Sequence, residues 1–189
     1  MEFEYKYIIG EMQGSIVRRA NELIDLVVQQ KFDTLVFLDR SARPASWIFE
    51  AFWNSKFPDT PIPSMIFICT GKKDLKSIDF EQAKEQLKYD LGRDAENLRG
   101  TRVLIVDDIE KSGEQKEFVT DLLNALYEPE LIEYFEWNKL GGLRLPHGLS
   151  YEDDGSFRSK PDENKTEVVE QVKREIEKLA FDHKHLATS

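Results

Sequence analysis

Asp107 and Asp108 end the apolar run Val103-Leu104-Ile105-Val106, and a short polar loop carries the chain from them to Ser112 and Gly113. Carboxylates accept hydrogen bonds from hydroxyls, and a vicinal diol offers two such donors. Successive strand residues point to opposite faces, so the two acids need not share one task. Ser112 and Gly113 open a predicted helix over 114–127. A helix N-terminus presents main-chain N–H groups and a partial positive charge, which suits an anion. Gly113 lets the backbone approach a phosphate closely. An acidic diol clamp followed by a phosphate cradle matches the layout of a ribose 5-phosphate.

A phosphorylated ligand needs cations here, because the chain of 189 residues carries a formal net charge of −10. Two other loops supply them. Asp39-Arg40-Ser41-Ala42-Arg43-Pro44 follows the apolar run at 33–38, and Thr70-Gly71-Lys72-Lys73 follows "IFIC". The same charge argues against nucleic acid as a partner, since phosphate backbones would be repelled.

Alternating elements place these loops. Residues 14–30 read as a helix, with Ile16, Ala20, Leu23, Ile24, Val27 and Val28 at helical spacing. "DTLVFLD" (33–39) reads as a buried strand. A helix runs from Ala45 to Trp53, with Pro44 suited to its start. Residues 61–71 give a second strand, 77–94 a helix, 101–108 the third strand and 114–128 a helix with Phe118, Leu122, Leu123 and Leu126 as its stripe. "ELIEYFEW" (130–137) is a fourth strand, nearer a sheet edge because polar residues alternate in it. A last amphipathic helix, 165–183, carries Val168, Val169, Val172, Ile176 and Leu179; its charged face reads as solvated. This order implies an α/β fold: an open, mostly parallel sheet with helices on both faces. Ligands of such sheets bind beyond the carboxyl ends of the strands.

At 40% hydrophobic and 33% charged, the sequence reads as one soluble domain over 1–189. Residues 138–165, rich in Gly, Pro, Asp and Ser, read as a hood or lid segment within it. Nothing approaches the roughly 18 apolar residues that span a bilayer. The acidic start does not resemble a secretory signal. The lone Cys69 can form neither an internal disulfide nor a cysteine zinc site. A cytoplasmic location with no membrane partner is the expectation. The last helix either packs on the sheet or mediates a homodimer.

"RVLIVDDIEKSGEQ" resembles the phosphoribosyl diphosphate (PRPP) motif of the type I phosphoribosyltransferases, and "NLRGTRVLIVDD" resembles its lead-in. "LVFLDRSARPAS" stands where that family has its diphosphate loop, and Lys72-Lys73 where many members have a basic pair. The resemblance spans residues 33–137. It implies a glycosyltransferase that moves a phosphoribosyl group from PRPP to a nitrogenous acceptor and releases diphosphate. Asp107 and Asp108 would hold the ribose hydroxyls, directly or through Mg2+ and water. Main-chain N–H groups of Lys111, Ser112, Gly113, Glu114 and Gln115, with the Ser112 hydroxyl, would hold the 5-phosphate. Arg40 and Ser41 would meet the diphosphate, and Lys72 or Lys73 would neutralise it as it leaves. Mg2+ is the implied cofactor, and PRPP or a nucleotide the implied small-molecule partner.

The sequence departs from the family at Lys111, where Thr, Ala or Asp is frequent, and at Gln115, where Thr or Ser is usual. Glu110 and Glu114 flank the cradle. A non-catalytic PRPP- or nucleotide-binding regulator on the same fold is therefore the alternative. A signalling receiver also begins "VLIVDD", but no downstream apolar strand ending in Asp follows Asp108 to take the phosphoryl group.

Overall fold

A computed structural model describes residues 3–8, 10–38, 42–68, 79–92, 98–107, 114–137 and 165–184. In chain order the elements are α1 (Glu11–Gln30), β1 (Thr34–Leu38), α2 (Arg43–Lys56), β2 (Ser64–Ile68), α3 (Phe80–Leu91), β3 (Arg102–Asp107), α4 (Glu114–Tyr127), β4 (Leu131–Glu136) and α5 (Lys165–Asp182). The chain divides into two compact units, residues 26–42 with 63–136, and residues 1–25 with 43–62 and 137–189.

The first of these holds the sheet. Its four described strands are all parallel, in the order β2-β1-β3-β4. Val36, Leu38, Ile66, Ile68, Val103 and Ile105 share one face and pack with Leu87 and Leu91 of α3 and Val119, Leu122, Leu123 and Tyr127 of α4. Leu35, Phe37, Leu104 and Val106, which alternate with them, are buried as well. Burial on both faces explains why β1 and β3 read as unbroken apolar runs. The half-exposed β4 is an edge strand, as its alternation predicts.

The amino ends of the strands are stitched together. Asp33 N–H donates to Arg102 O at 3.0 Å, Arg102 N–H to Asp33 Oδ2 at 3.0 Å, and Ser64 N–H to Asp33 O at 3.0 Å. The Arg102 guanidinium donates to Gln30 O and pairs with Glu130 at 2.9 Å. These ties fix the register from below, and leave the carboxyl ends to the loops.

Helix ends follow local chemistry. α3 is shorter than the predicted 77–94. Asp79 caps it by accepting from Glu81 N–H at 2.9 Å, and Gly92, at φ 48°, ends it by donating its N–H to Lys88 O. α1 begins at Glu11, before the expected Gly14. It closes with Lys31 at φ 54° and the Phe32 N–H on Val27 O, a Schellman arrangement in which Phe32 and Val27 are both buried. Val28 was expected on the buried stripe but is 48% exposed. One residue beyond Val27 turns the side chain about 100° away, and the last turn has no further stripe position to follow.

The second unit contains α2, α5 and most of α1. Arg19 is buried, donates its Nε to Trp137 O at 2.9 Å and pairs with Glu22. Pro44 lies in the first turn of α2, where the missing N–H costs nothing. Ser55 of α2 donates to Ala180 O of α5 at 3.0 Å. The stripe of α5 is as predicted at Val168, Val172, Ile176 and Leu179, but its charged residues are not all solvated. Glu175 is fully buried. Its position, three residues after Val172 and four before Leu179, puts it on the apolar face. There it accepts N–H bonds from Lys6, Tyr7 and Ile8 at 2.7–2.9 Å and an amide N–H from Gln171 at 3.0 Å.

Candidate functional site

The strand order reverses direction between β1 and β3: from β1 the chain moves outward to β2, and from β3 outward the other way to β4. Open parallel sheets bind ligands at such a switch point, beyond the carboxyl ends of the two diverging strands. Here those ends are Leu38 and Asp107, brought side by side by the register Phe37↔Val106. The segments leaving them, 39–41 and 108–113, are two of the three that the sequence marks for chemistry.

Asp107 is the last residue of β3 and is 3% exposed. It shares the α3/α4 face with Ile105 and Val103, as strand parity requires. Its Oδ2 accepts from the Tyr134 hydroxyl at 2.9 Å. A buried carboxylate needs such donors, since desolvating a charge without hydrogen bonds is costly. Tyr134 lies on β4 opposite Ile105, and Glu136 is opposite Asp107. The phenol therefore reaches diagonally, a span that aromatic side chains cover. The Lys116 ammonium sits 5.0 Å from the centroid of the same ring. Lys116 belongs to the first turn of α4, which begins at Glu114 as the sequence predicts. Glu114 is exposed and Gln115 half-buried.

Asp107, Glu114 and Gln115 are thus found at the strand end and helix start expected of them. Arg40, Ser41, Lys72, Lys73, Asp108, Lys111, Ser112 and Gly113 lie outside the described residues. So do residues 138–164 of the expected hood. Tyr134 packs against the core and also donates to Asp107. Only the β3–β4 register reveals this, and the register is absent from a single sequence. Trp137 is buried.

A groove between α2 and α5 offers less chemistry. It is lined by Trp47, Asn54, Lys173 and Phe181 among others, but Lys173 lies 5.0 Å over the Trp47 ring and Lys184 4.5 Å over that of Phe181. The protein's own ammonium groups thus already occupy one face of each of these rings. Among the described residues there is no cluster of three or more His, Cys, Asp or Glu able to cage a metal, and no helix is long and apolar enough to cross a membrane.

Fold and strand ends together define a class: an open parallel α/β protein with acidic and helix-N-terminal chemistry at its switch point. Among solved structures the chain is similar to the HGPRT-ase from Leishmania tarentolae in complex with GMP, at 12% identity over 69% of each chain, with a TM-score of 0.39. No family model matches the chain, and no curated protein does.

Proposed function

We propose that the protein binds PRPP with Mg2+ and transfers its phosphoribosyl group to a nitrogenous acceptor, releasing diphosphate. The observation that carries this reading is the buried Asp107 at the carboxyl end of β3, beside the switch point and one short link before the N-terminus of α4. The sequence of that link, with its Ser-Gly ending, supplies the rest. In the reaction, a ring or amine nitrogen attacks the anomeric carbon as the bond from that carbon to the diphosphate oxygen breaks. Diphosphate leaves with the electron pair, and the nitrogen's proton passes to water or a base. Positive charge grows on the ribose, so the protein's share is to hold the sugar and stabilise the leaving group.

Asp107 and Asp108 hold the ribose hydroxyls; the first turn of α4, with Lys111 to Gln115, holds the 5-phosphate; Arg40, Ser41 and Lys72 or Lys73 face the diphosphate. Mg2+ suits an acidic strand end without a protein cage, since it is commonly held by one or two carboxylates, waters and substrate phosphates. When bound, it offsets the diphosphate charge in a chain of net −10. The carboxylates orient the waters around it.

A thermal melt with PRPP plus Mg2+ tests the reading, with ribose 5-phosphate and a nucleoside monophosphate panel alongside. Ligand at about 100-fold its Kd adds about 2.7 kcal/mol, a rise of roughly 5–10 °C for a chain of this size. The Asp107→Asn/Asp108→Asn double variant should melt as a folded protein and lose that rise. Unchanged PRPP affinity in the double variant sinks the site.

A second reading has its own support. The first turn of α4 carries Glu114 and Glu117, and carboxylates beside a phosphate weaken its binding. A non-catalytic PRPP- or nucleotide-binding regulator tolerates that better than an enzyme. It predicts a ligand-induced melting shift with no diphosphate release across an acceptor screen.

A further inference from the structure

We infer that Tyr134 is a positioning residue that holds the two halves of the site in register; the inference rests on the phosphoribosyl reading of that site. Its hydroxyl fixes Asp107 Oδ2 at 2.9 Å, and its ring lies under the Lys116 ammonium at 5.0 Å. Asp107 belongs to the diol clamp at the end of β3. Lys116 belongs to the first turn of α4, the phosphate cradle. One side chain on the neighbouring edge strand thus touches both. The contact is diagonal across the β3–β4 pair, from the residue opposite Ile105 to the strand end.

The geometry has consequences for how the carboxylate is oriented. A carboxylate at a strand end can rotate about its terminal torsion, which has broad, weakly held wells. An O–H donor on one oxygen limits that freedom and helps to set the plane of the group. A hydrogen bond to a charged acceptor is worth enough to enforce this. The cation over the ring keeps the phenol from swinging off β4. Glu136, directly opposite Asp107, cannot substitute, because it has no proton to donate and like charges repel.

The chemistry predicts selectivity between ligands. Diol-bearing PRPP uses Asp107, whereas inorganic diphosphate does not. Tyr134→Phe keeps the ring and its cation contact but removes the donor. It should weaken PRPP binding in Mg2+ by about 10- to 150-fold, the range for losing one hydrogen bond to a charged group. Inorganic diphosphate with Mg2+ should bind within about twofold of wild type.

The test is titration calorimetry of PRPP and diphosphate on wild type and Tyr134→Phe, with urea midpoints of the ligand-free proteins to show that both are folded. Selective loss of PRPP binding in Tyr134→Phe supports the inference. Wild-type PRPP affinity in Tyr134→Phe overturns it. So does equal weakening of PRPP and diphosphate, which a merely structural role would produce. If wild type itself binds no PRPP, the phosphoribosyl reading falls and the inference with it.

Discussion

Glu175 and Asp107 are both carboxylates taken out of water, and the protein satisfies them in different ways. Glu175, in the middle of α5, accepts three main-chain N–H groups from Lys6, Tyr7 and Ile8 and the amide of Gln171. Asp107, at the end of β3, accepts a phenol from the adjacent strand. Main-chain donors cannot leave without moving the chain, so Glu175 works as a clamp on the N-terminal segment. A side-chain donor can turn without unfolding anything, so the Tyr134 phenol orients Asp107 without tying down a chain segment. The difference separates a structural acid from one set at a strand's carboxyl end, where open parallel sheets do their binding.

The sharpest way to break this comparison is to remove Glu175. Glu175→Ala leaves the buried N–H groups of Tyr7 and Ile8 and the part-buried one of Lys6 without their acceptor, and each unsatisfied buried group costs about 1–3 kcal/mol. Partial relaxation and water entry reduce the sum, so a loss of about 3–4 kcal/mol is expected, or roughly 6–16 °C in Tm. Glu175→Gln should lose less, since one oxygen still accepts. Both variants are read by urea unfolding. A Glu175→Ala midpoint indistinguishable from wild type would mean that the clamp holds nothing.

The effect at Asp107 should be the reverse: small on stability and large on binding. Asparagine keeps an oxygen that can accept from Tyr134 at a similar distance. Asp107→Asn should therefore shift the unfolding free energy by no more than about 1 kcal/mol. In the same samples the PRPP-dependent rise in Tm should be lost or nearly so. A variant that loses as much stability as Glu175→Ala would place Asp107 with the structural acids.

How far the sequence carries a reader differs between these two places. Element order, the parallel sheet and the edge position of β4 follow from periodicity, because β1 and β3 are apolar throughout while "LIEYFE" alternates. The start of α4 at Glu114 follows from the change of pattern after Gly113. Tyr134 as Asp107's partner does not follow, because parity fixes a side chain's face but not the register between strands. Glu175 was within reach, since it falls at stripe spacing between Val172 and Leu179. It was taken for a solvated charge because acids are rarely buried without partners. Its partners, Lys6 to Ile8, are more than 160 residues away in the chain. Val28 shows the opposite error, an apolar residue credited to a stripe that had already turned away.

The smallest expected effect lies at the rim of the Glu175 clamp. Tyr5 donates its hydroxyl to Asp182 Oδ2 at 3.4 Å, and Lys178 pairs with the same carboxylate's other oxygen. Burial first, and the Asp182 charge second, push the Tyr5 hydroxyl from 10.0 up to about 12. The folded protein thus holds this proton more tightly than the unfolded chain does. The contribution is fully present below about pH 10, the unfolded value, and is lost as pH rises through the folded value near 12. Tyr5→Phe removes that proton, so its stability should fall less steeply than wild type between these limits. Below pH 9 the two should differ by only a small constant amount, because the bond is long and partly exposed. Urea midpoints at pH 8, 10 and 11 are sufficient to check this. Parallel alkaline slopes for the two proteins would show that the Tyr5 bond adds nothing to the Glu175 clamp.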